Sequence, residues 1–303
     1  MTPARRGLLG ANLMCLASMV VWSAGLPAAN VLIPVVPPLP LAAMRLLLGA
    51  AVLLPLWWLL DGRRAVLGAS WLRGIGVGGI CLGLGATFLI YAQSKTDAVT
   101  VAVISTLAPI IGMGLECALD GRRMTGQLIT GLMLSVAGGF GAYAAATGQL
   151  TLGLGAAAAL ASVLAYTWGS RATVTAFPAL TPIGRTAITV SGAAIVTTTA
   201  ALIDSGFGAP PLDWAAFGWR EFGALAIFGV GSIAISQLLW IMAVGRLGIG
   251  MASLHINATP FYVMMFLVLL GGDWNWTQAF CAAIVGAGVL LAQGILWPAK
   301  ATA

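Results

Sequence analysis

The chain has 303 residues, of which 60% are hydrophobic and only 7% are charged, and its mean hydropathy is +1.01. Because soluble domains carry roughly 25% charged residues, this composition excludes an ordinary water-soluble protein and indicates that lipid is the main solvent. The net charge is +6. The basic residues lie between apolar segments, so they indicate membrane topology rather than nucleic-acid binding.

Ten apolar segments, each about the length that crosses a bilayer as a helix, follow one another along the chain. The first follows Arg5 and Arg6 as a signal peptide would, but it is long for such a peptide and its pattern recurs mid-chain. The longest joint, residues 204–220, holds aromatic residues typical of a membrane interface. The segments predict transmembrane helices at residues 8–30, 40–60, 72–92, 97–119, 125–146, 152–174, 181–203, 221–244, 248–270 and 276–297.

The distribution of the basic residues predicts an orientation. If the N-terminus is cytoplasmic, only Arg45, Lys95 and Arg220 of the 14 lysines and arginines fall in outer joints, and the other 11 (14 − 3) fall in cytoplasmic ones. The positive-inside rule therefore predicts a multi-pass protein of a bacterial inner membrane with both termini in the cytoplasm. The four cysteines lie within apolar segments without paired spacing, which predicts neither a disulfide framework nor a metal site.

The two halves of the chain share a sequence pattern. Leu-Ala-Ser at residues 16–18 recurs at 160–162, an offset of 144, and Gly-Ala-Ala at 49–51 recurs at 192–194, an offset of 143. Ala92 and Pro109 correspond to Ala243 and Pro260 at an offset of 151. A chance match between segments rich in alanine and glycine is the alternative, but several matches in the same order argue against it.

This repeat predicts an all-α membrane protein of ten transmembrane helices, built as two five-helix repeats, residues 1–147 and 148–303, within one transport domain. Because five is odd, the second repeat enters the membrane from the opposite side. Inverted-topology repeats of this kind are typical of alternating-access transporters, whose substrate site lies near the midplane between the halves.

The chain resembles the EamA-type group of the drug/metabolite transporter superfamily over nearly its whole length. The resemblance rests on Trp22 and Trp168, on the Ala-to-Pro spacing of residues 92–109 and 243–260, and on Thr125 with Gln127 and the Thr-Gln pair at 277–278. The family often has a glutamate shortly before that threonine; Arg122 and residue 274, a tryptophan, stand there instead. The resemblance implies export of amino acids, other metabolites or cationic drugs. The most similar subgroup is a ten-helix exporter of aromatic and related neutral amino acids, also linked to quaternary ammonium compounds.

Polar side chains inside the predicted spans are the candidate cavity residues, because such groups are costly in lipid and usually face protein or water. The ninth segment is the richest. On a regular helix, His255, Thr259 and Tyr262 form one stripe, and Asn257 lies on nearly the opposite one with Pro260; which stripe faces the cavity is open. His255, the only histidine, is either a structural hydrogen-bonding residue or a pH-sensitive or substrate-contacting one.

The other candidates are polar or aromatic residues of five further segments, and aromatic walls would suit an aromatic or cationic ligand. Ordinary packing within the bundle is the alternative for each of them. Pro109 and Pro260 occupy matched positions inside predicted helices, and they are candidate hinges or static kinks. The remaining cavity candidates are Ser18, Trp22, Thr87, Tyr91, Ser105, Tyr166, Trp168, Ser236, Gln237 and Trp240.

Together these features predict a transporter that exports small neutral metabolites, amino acids including aromatic ones, by alternating access. Cationic drugs are the alternative cargo, and a membrane-embedded enzyme or a channel is the alternative class. One histidine and eight carboxylates, nearly all at loops, do not form a catalytic set, so we expect neither catalysis nor a cofactor. The expected partners are a small-molecule substrate and the lipid bilayer, without nucleic acid, and the oligomeric state is open. Export is either uncoupled or proton-coupled through His255.

Overall fold

A computed structural model describes residues 3–96, 101, 104–146, 153–207 and 214–295, and the regular elements among these residues are helices. We number the long ones α1 to α10, and a short 3-10 turn, Trp214–Ala216, precedes α8. The helices are α1 Pro3–Leu32, α2 Pro38–Leu67, α3 Trp71–Lys95, α4 Ala108–Asp120, α5 Gly126–Ala146, α6 Leu154–Thr175, α7 Pro182–Gly206, α8 Trp219–Leu247, α9 Ile249–Leu269 and α10 Trp276–Ala292.

Six of these helices, namely α1, α2, α3, α7, α8 and α9, are long and apolar enough to cross a membrane. Shorter apolar helices cover Gly126–Ala142 of α5 and Trp276–Ala292, which is α10. The chain is therefore a multi-pass membrane protein. The predicted fourth segment, 97–119, lies partly outside the described residues, and so do the boundary between the predicted halves at 147–148 and part of the predicted 204–220 joint.

The charged residues 61–64, which follow the predicted helix 40–60, do not form a loop. The helical run of α2 continues through these residues to Leu67, and the chain bends at Gly62, whose φ of 81° lies in the left-handed region. Glycine has no Cβ and adopts this conformation without steric cost. A charged sequence that reads as a break is therefore a kink within a longer helix.

Helices pack in corresponding pairs across the bundle. α2 packs against α7, α4 against α9, and α5 against α10; α3 packs on α6 and α7, as α8 packs on α1 and α2. Glycines let the backbones approach closely at these contacts. A Cβ added to Gly78 of α3 would lie 1.9 Å from the carbonyl oxygen of Thr189 in α7, and one added to Gly229 of α8 would lie 2.7 Å from Cβ of Leu48 in α2. Small residues at such crossings are typical of helix packing in membranes.

Four helices depart from regular α geometry in the middle of the bundle. π-helical segments interrupt α3 at Gly76–Gly83 and α8 at Ile227–Ile235. A turn at residues 106–107 precedes α4, and a 3-10 segment, Leu254–Ala258, interrupts α9. Pro109 and Pro260 are each the second residue of the α-helical segment that follows, where the missing N–H of proline leaves no intrahelical bond unmade. α9 is therefore not a regular helix, although the two stripes of polar residues predicted from the sequence require one.

Candidate functional site

A central cavity lies among helices of both halves of the chain. It consists of two adjoining compartments that share the side chains of Trp22, Leu89, Ser105 and Ile256. The inner compartment has a volume of about 90 Å³ and the outer one about 650 Å³. The outer compartment is lined by the C-terminal parts of α1, α3 and α9 and the N-terminal end of α10, so it lies toward one end of the bundle.

Arg45 is the charged residue of the inner compartment. It is only 3% exposed, and its Cζ atom lies 4.1 Å from the centroid of the Phe228 ring. The Nε and Nη1 atoms of Arg45 have no hydrogen-bond partner, and no carboxylate of the described residues forms an ion pair with it. The inner compartment therefore contains a positive charge without a counter-charge from the described part of the chain.

The placement of Arg45 in an outer joint was wrong. α2 begins at Pro38, so Arg45 lies seven residues (45 − 38) into the helix, which is about two turns. The sequence missed it because a basic residue near the end of an apolar run reads as a loop residue. Without Arg45 the split of basic residues becomes 11 against 2 (3 − 1), so the charge bias that predicts the orientation is unchanged.

Tyr166 and Gln237 also belong to the polar lining of the inner compartment, together with three hydroxyl residues, Ser105, Ser162 and Thr167. The Tyr166 hydroxyl donates a hydrogen bond to Oε1 of Gln237 at 3.0 Å, and the buried Nε2 atom of Gln237 has no partner. The Tyr166 ring stacks on the ring of Trp240, with centroids 6.2 Å apart and planes inclined by 27°. Trp240 itself is fully buried and donates from Nε1 to the hydroxyl of Ser170 at 3.0 Å, so it supports Tyr166 from behind rather than lining the cavity.

The outer compartment combines apolar walls with scattered polar groups. Oγ1 of Thr259 has no hydrogen-bond partner, whereas Oγ of Ser105 donates to the carbonyl oxygen of Val101 at 2.9 Å. Pro260 also lines this compartment. The sequence reasoning missed further polar lining residues near its wide end, because they fall at the edges of the predicted spans: Asn30, Gln93, Asp273, Asn275 and Gln278.

Several predicted cavity residues bond to neighbouring helices or face outward instead. Ser18 of α1 and Ser236 of α8 exchange hydrogen bonds, with Oγ of each donating to the carbonyl oxygen of the other at 2.8 and 3.0 Å. Thr87 donates to the carbonyl oxygen of Gly83 within its own helix. Tyr91 is 36% exposed and Trp168 is 49% exposed, and neither lines the central cavity. Pro109 is buried without lining it.

The polar residues of α9 point in different directions. His255 and Tyr262 line a separate cleft of about 860 Å³ between α1 and α10, and Nδ1 of His255 lies 3.2 Å from the carbonyl oxygen of Ala252. Asn257 donates to the hydroxyl of Ser135 in α5 at 3.2 Å. A 3-10 helix turns about 120° per residue instead of about 100°, so the interruption at Leu254–Ala258 separates Thr259 from the stripe predicted with His255. A role of His255 in transport stays a prediction.

The end of the bundle that lies away from the outer compartment carries Arg63, Arg64, Arg122, Arg123 and Arg246; we call it the basic end. Polar contacts join neighbouring helices at this end. Oε1 of Glu116 accepts a hydrogen bond at 3.0 Å from the backbone N–H of Gly250, in the first turn of α9, and the same carboxylate pairs with Arg122. Such a position favours a negative charge. The remaining contacts join Asp120 to Arg171, Thr181 to Asp61 and Arg73 to the carbonyl oxygen of Ala176.

The ion pair of Asp120 with Arg171 joins α4 to α6 at this end. Nε of Arg171 donates to one carboxylate oxygen of Asp120 at 2.9 Å, and Nη2 contacts the other oxygen. The hydrogen bond from Arg171 holds the pKa of the Asp120 carboxyl below its ordinary value of 3.8. The pair is therefore ionised throughout the neutral range.

Comparison with known proteins matches part of the chain to a family model and its fold to solved structures. Residues 9–144 match the model of a family described as the EamA-like transporter family. A solved structure, described only as "Crystal structure of protein", has a TM-score of 0.76 to this chain and 21% sequence identity, over 93% of this chain and 96% of that one. At this identity the likeness shows the fold. No curated protein matches the chain.

Proposed function

We propose that the chain is a transmembrane transporter that exports small neutral or zwitterionic metabolites, amino acids including aromatic ones, by alternating access. The observation that carries this proposal is the central cavity, which is wide toward one end of the bundle, while the polar contacts of Glu116 and Asp120 join helices at the basic end. A cavity that is wide toward one end of the bundle suits alternating access. The match of residues 9–144 to a transporter family supports the same class.

Two inverted five-helix repeats account for several matched positions around the cavity. Ser105 corresponds to Ile256 (256 − 105 = 151), and both line the two compartments beside the breaks before Pro109 and Pro260. The π-helical segments begin 151 residues apart (227 − 76). We propose that the ten helices all cross the membrane, that the repeats span 1–147 and 148–303, and that the two breaks are the hinges.

Orientation then assigns a conformation. With both termini in the cytoplasm, as the charge bias favours, the basic end is cytoplasmic and the outer compartment faces outward. The arrangement described above would be the outward-facing state in a bacterial inner membrane. Export requires the reverse state, in which the contacts of Glu116 with Gly250 and of Asp120 with Arg171 separate.

The lining of the cavity favours amino acids over cationic drugs. Trp22 of α1 and Tyr166 of α6 provide aromatic surface in the inner compartment, which suits an aromatic side chain. Arg45 provides a positive charge in the inner compartment, which repels an unpaired cation at short range. A zwitterion brings its own carboxylate and avoids that repulsion.

Purified protein in liposomes tests the transport proposal. We expect saturable, downhill flux of radiolabelled phenylalanine, and no flux of a sugar nucleotide or phosphate ester. Trp22→Ala should reduce this flux several-fold because it removes a shared wall of both compartments, whereas Trp168→Ala, on the exposed outer surface, should leave it nearly normal. Robust flux of a phosphate ester without flux of any amino acid would contradict the proposal.

A further inference from the structure

We propose that Arg45 and Gln237 form an anchor for a single carboxylate group of the substrate, at the inner end of the central cavity. The inference deepens the proposed function and rests on it for the direction of transport. It assigns a specific part of the substrate to a specific part of the site. The two residues belong to different predicted repeats, since Arg45 lies on α2 and Gln237 on α8.

Arg45 carries a charge that is costly to bury. A charged group taken out of water is strongly destabilising unless it is paired or hydrogen-bonded, and in membranes such residues usually mark substrate pathways. Arg45 is 3% exposed and two of its three nitrogens have no partner. A guanidinium carries donors only. The missing partner is therefore a hydrogen-bond acceptor, preferably an anion.

The guanidinium of Arg45 is held in place by contacts that do not involve its unpaired Nε and Nη1 atoms. Its Cζ atom lies 4.1 Å from the centroid of the Phe228 ring, an arrangement in which the ring face attracts the cation. Arg45 also projects from a rigid helix, α2, in which it lies seven residues after Pro38. The group is thus fixed before a ligand arrives, which lowers the entropic cost of binding.

Gln237 supplies a second N–H donor in the inner compartment. Gln237 has one acceptor and one donor group in its amide. Its Oε1 accepts from the Tyr166 hydroxyl at 3.0 Å, so the amide presents Nε2 as its free atom. Among the described residues that line the inner compartment, the buried polar atoms without a partner are all N–H donors: Nε and Nη1 of Arg45 and Nε2 of Gln237. Such a set selects an acceptor-only group.

The volume of the inner compartment and the single charge of Arg45 further restrict the chemical group that can bind there. The inner compartment, of about 90 Å³, is much smaller than the outer one, so we place a small group such as a carboxylate there and the body of the metabolite outside it. The outer compartment, of about 650 Å³, can hold the rest of the molecule beside Trp22. One arginine matches one negative charge. The ligand class is therefore an amino acid or another monocarboxylate with an apolar body.

Binding to three related compounds tests this anchor in detergent-purified protein. Phenylalanine has both charged groups, 3-phenylpropionate has only the carboxylate, and phenethylamine has only the ammonium. We expect the first two to bind, with phenethylamine at least about tenfold weaker. Arg45→Gln should weaken binding of both carboxylates about tenfold or more and reduce the preference over phenethylamine. Arg63→Gln, which removes an exposed charge at the basic end, is the matched control and should bind like the wild type.

A second variant keeps the test decisive if Arg45→Gln fails to fold. Gln237→Glu is nearly isosteric and places a carboxylate in the same compartment as Arg45. It should abolish carboxylate binding, because the introduced carboxylate repels that of the ligand within the compartment. Arg45→Gln should leave the ligand-free unfolding temperature unchanged or higher, whereas an arginine with only a packing role would leave a less stable protein.

The results of these experiments distinguish a failure of the carboxylate anchor from a failure of the proposed transport function. Equal binding of phenylalanine and phenethylamine by the wild type, or full carboxylate affinity in Gln237→Glu, overturns the anchor even if phenylalanine flux in liposomes upholds the transporter. Binding of none of the three compounds also overturns it, and the liposome panel then decides the transport proposal separately. If 3-phenylpropionate binds and phenylalanine does not, the anchor stands and the cargo is a monocarboxylic acid rather than an amino acid.

Discussion

Replacing Gly78 by alanine should destabilise the protein far more than the same replacement two residues earlier, at Gly76. Both glycines lie in the π-helical segment of α3. A Cβ at Gly78 would lie 1.9 Å from the carbonyl oxygen of Thr189 and 2.9 Å from the backbone nitrogen of Ala193, whereas a Cβ at Gly76 meets nothing within 4 Å. Because the obstacle at Gly78 is backbone, no side-chain rotation can relieve the clash.

The magnitudes follow from two opposing effects. Alanine in place of glycine within a helix stabilises by about 0.5–1 kcal/mol, because the unfolded chain loses freedom. Overpacking against a rigid neighbour costs about 1–3 kcal/mol, occasionally more. Gly76→Ala should therefore be neutral or stabilising by up to about 1 kcal/mol. Gly78→Ala should lose up to about 2.5 kcal/mol net (3 − 0.5), since α3 and α7 must move apart.

Unfolding of the purified protein in detergent by heat, and by increasing SDS, measures both variants against the wild type. The pair is a matched comparison, because the substitution, the helix and the helical type are the same. An unfolding temperature for Gly78→Ala equal to that of Gly76→Ala would refute the close approach of α3 to α7. It would also remove the reason given for the small residues in this part of the sequence.

Three further predictions concern polar contacts. Ser18→Ala and Ser236→Ala should each cost about 1–3 kcal/mol by leaving a buried partner unsatisfied, while the double variant should cost less than their sum; additive losses in SDS unfolding would contradict the exchange of hydrogen bonds. Asp120→Asn should lower the unfolding temperature at neutral pH by removing the ion pair with Arg171. Because folding depresses the pKa of Asp120, the difference should persist above pH 3.8 and vanish as pH falls below it; a difference that stays constant at acid pH would exclude this pair as its source. His255→Ala should lower stability and leave phenylalanine flux normal, since His255 lies outside the central cavity; lost flux at unchanged stability would return it to the substrate path.

The sequence alone indicated part of the candidate site. Trp22, Ser105, Tyr166, Gln237 and Thr259 were chosen as polar or aromatic groups within apolar spans, and all of them line the cavity. The physical reason is general, because lipid leaves such groups no favourable position except against protein or water. The same rule cannot separate a cavity from a contact between two helices. Exposed aromatic residues such as Trp168 also satisfy it, at the surface of the bundle.

Arg45 shows most directly what the sequence left undecided. Charge counting assigned Arg45 to the nearest loop although the predicted helix, 40–60, already contained it, because the count takes no account of which basic residues are buried. The start of α2 at Pro38 places this arginine within the bundle instead. The sequence of α9 likewise names the polar residues without their directions, because the 3-10 interruption at Leu254–Ala258 depends on packing against neighbouring helices.

By itself the sequence determined that this protein is helical, lies in the membrane and crosses it several times. Composition and segment length are enough for these conclusions, because a bilayer core accepts only long apolar helices or closed barrels. Only the tertiary structure decided which polar groups meet. The cavity, the contacts at the basic end and the unpaired guanidinium of Arg45 arise between helices that are far apart in the chain, such as α2 and α8. Contacts of this kind depend on the crossing of helices, which no local pattern encodes.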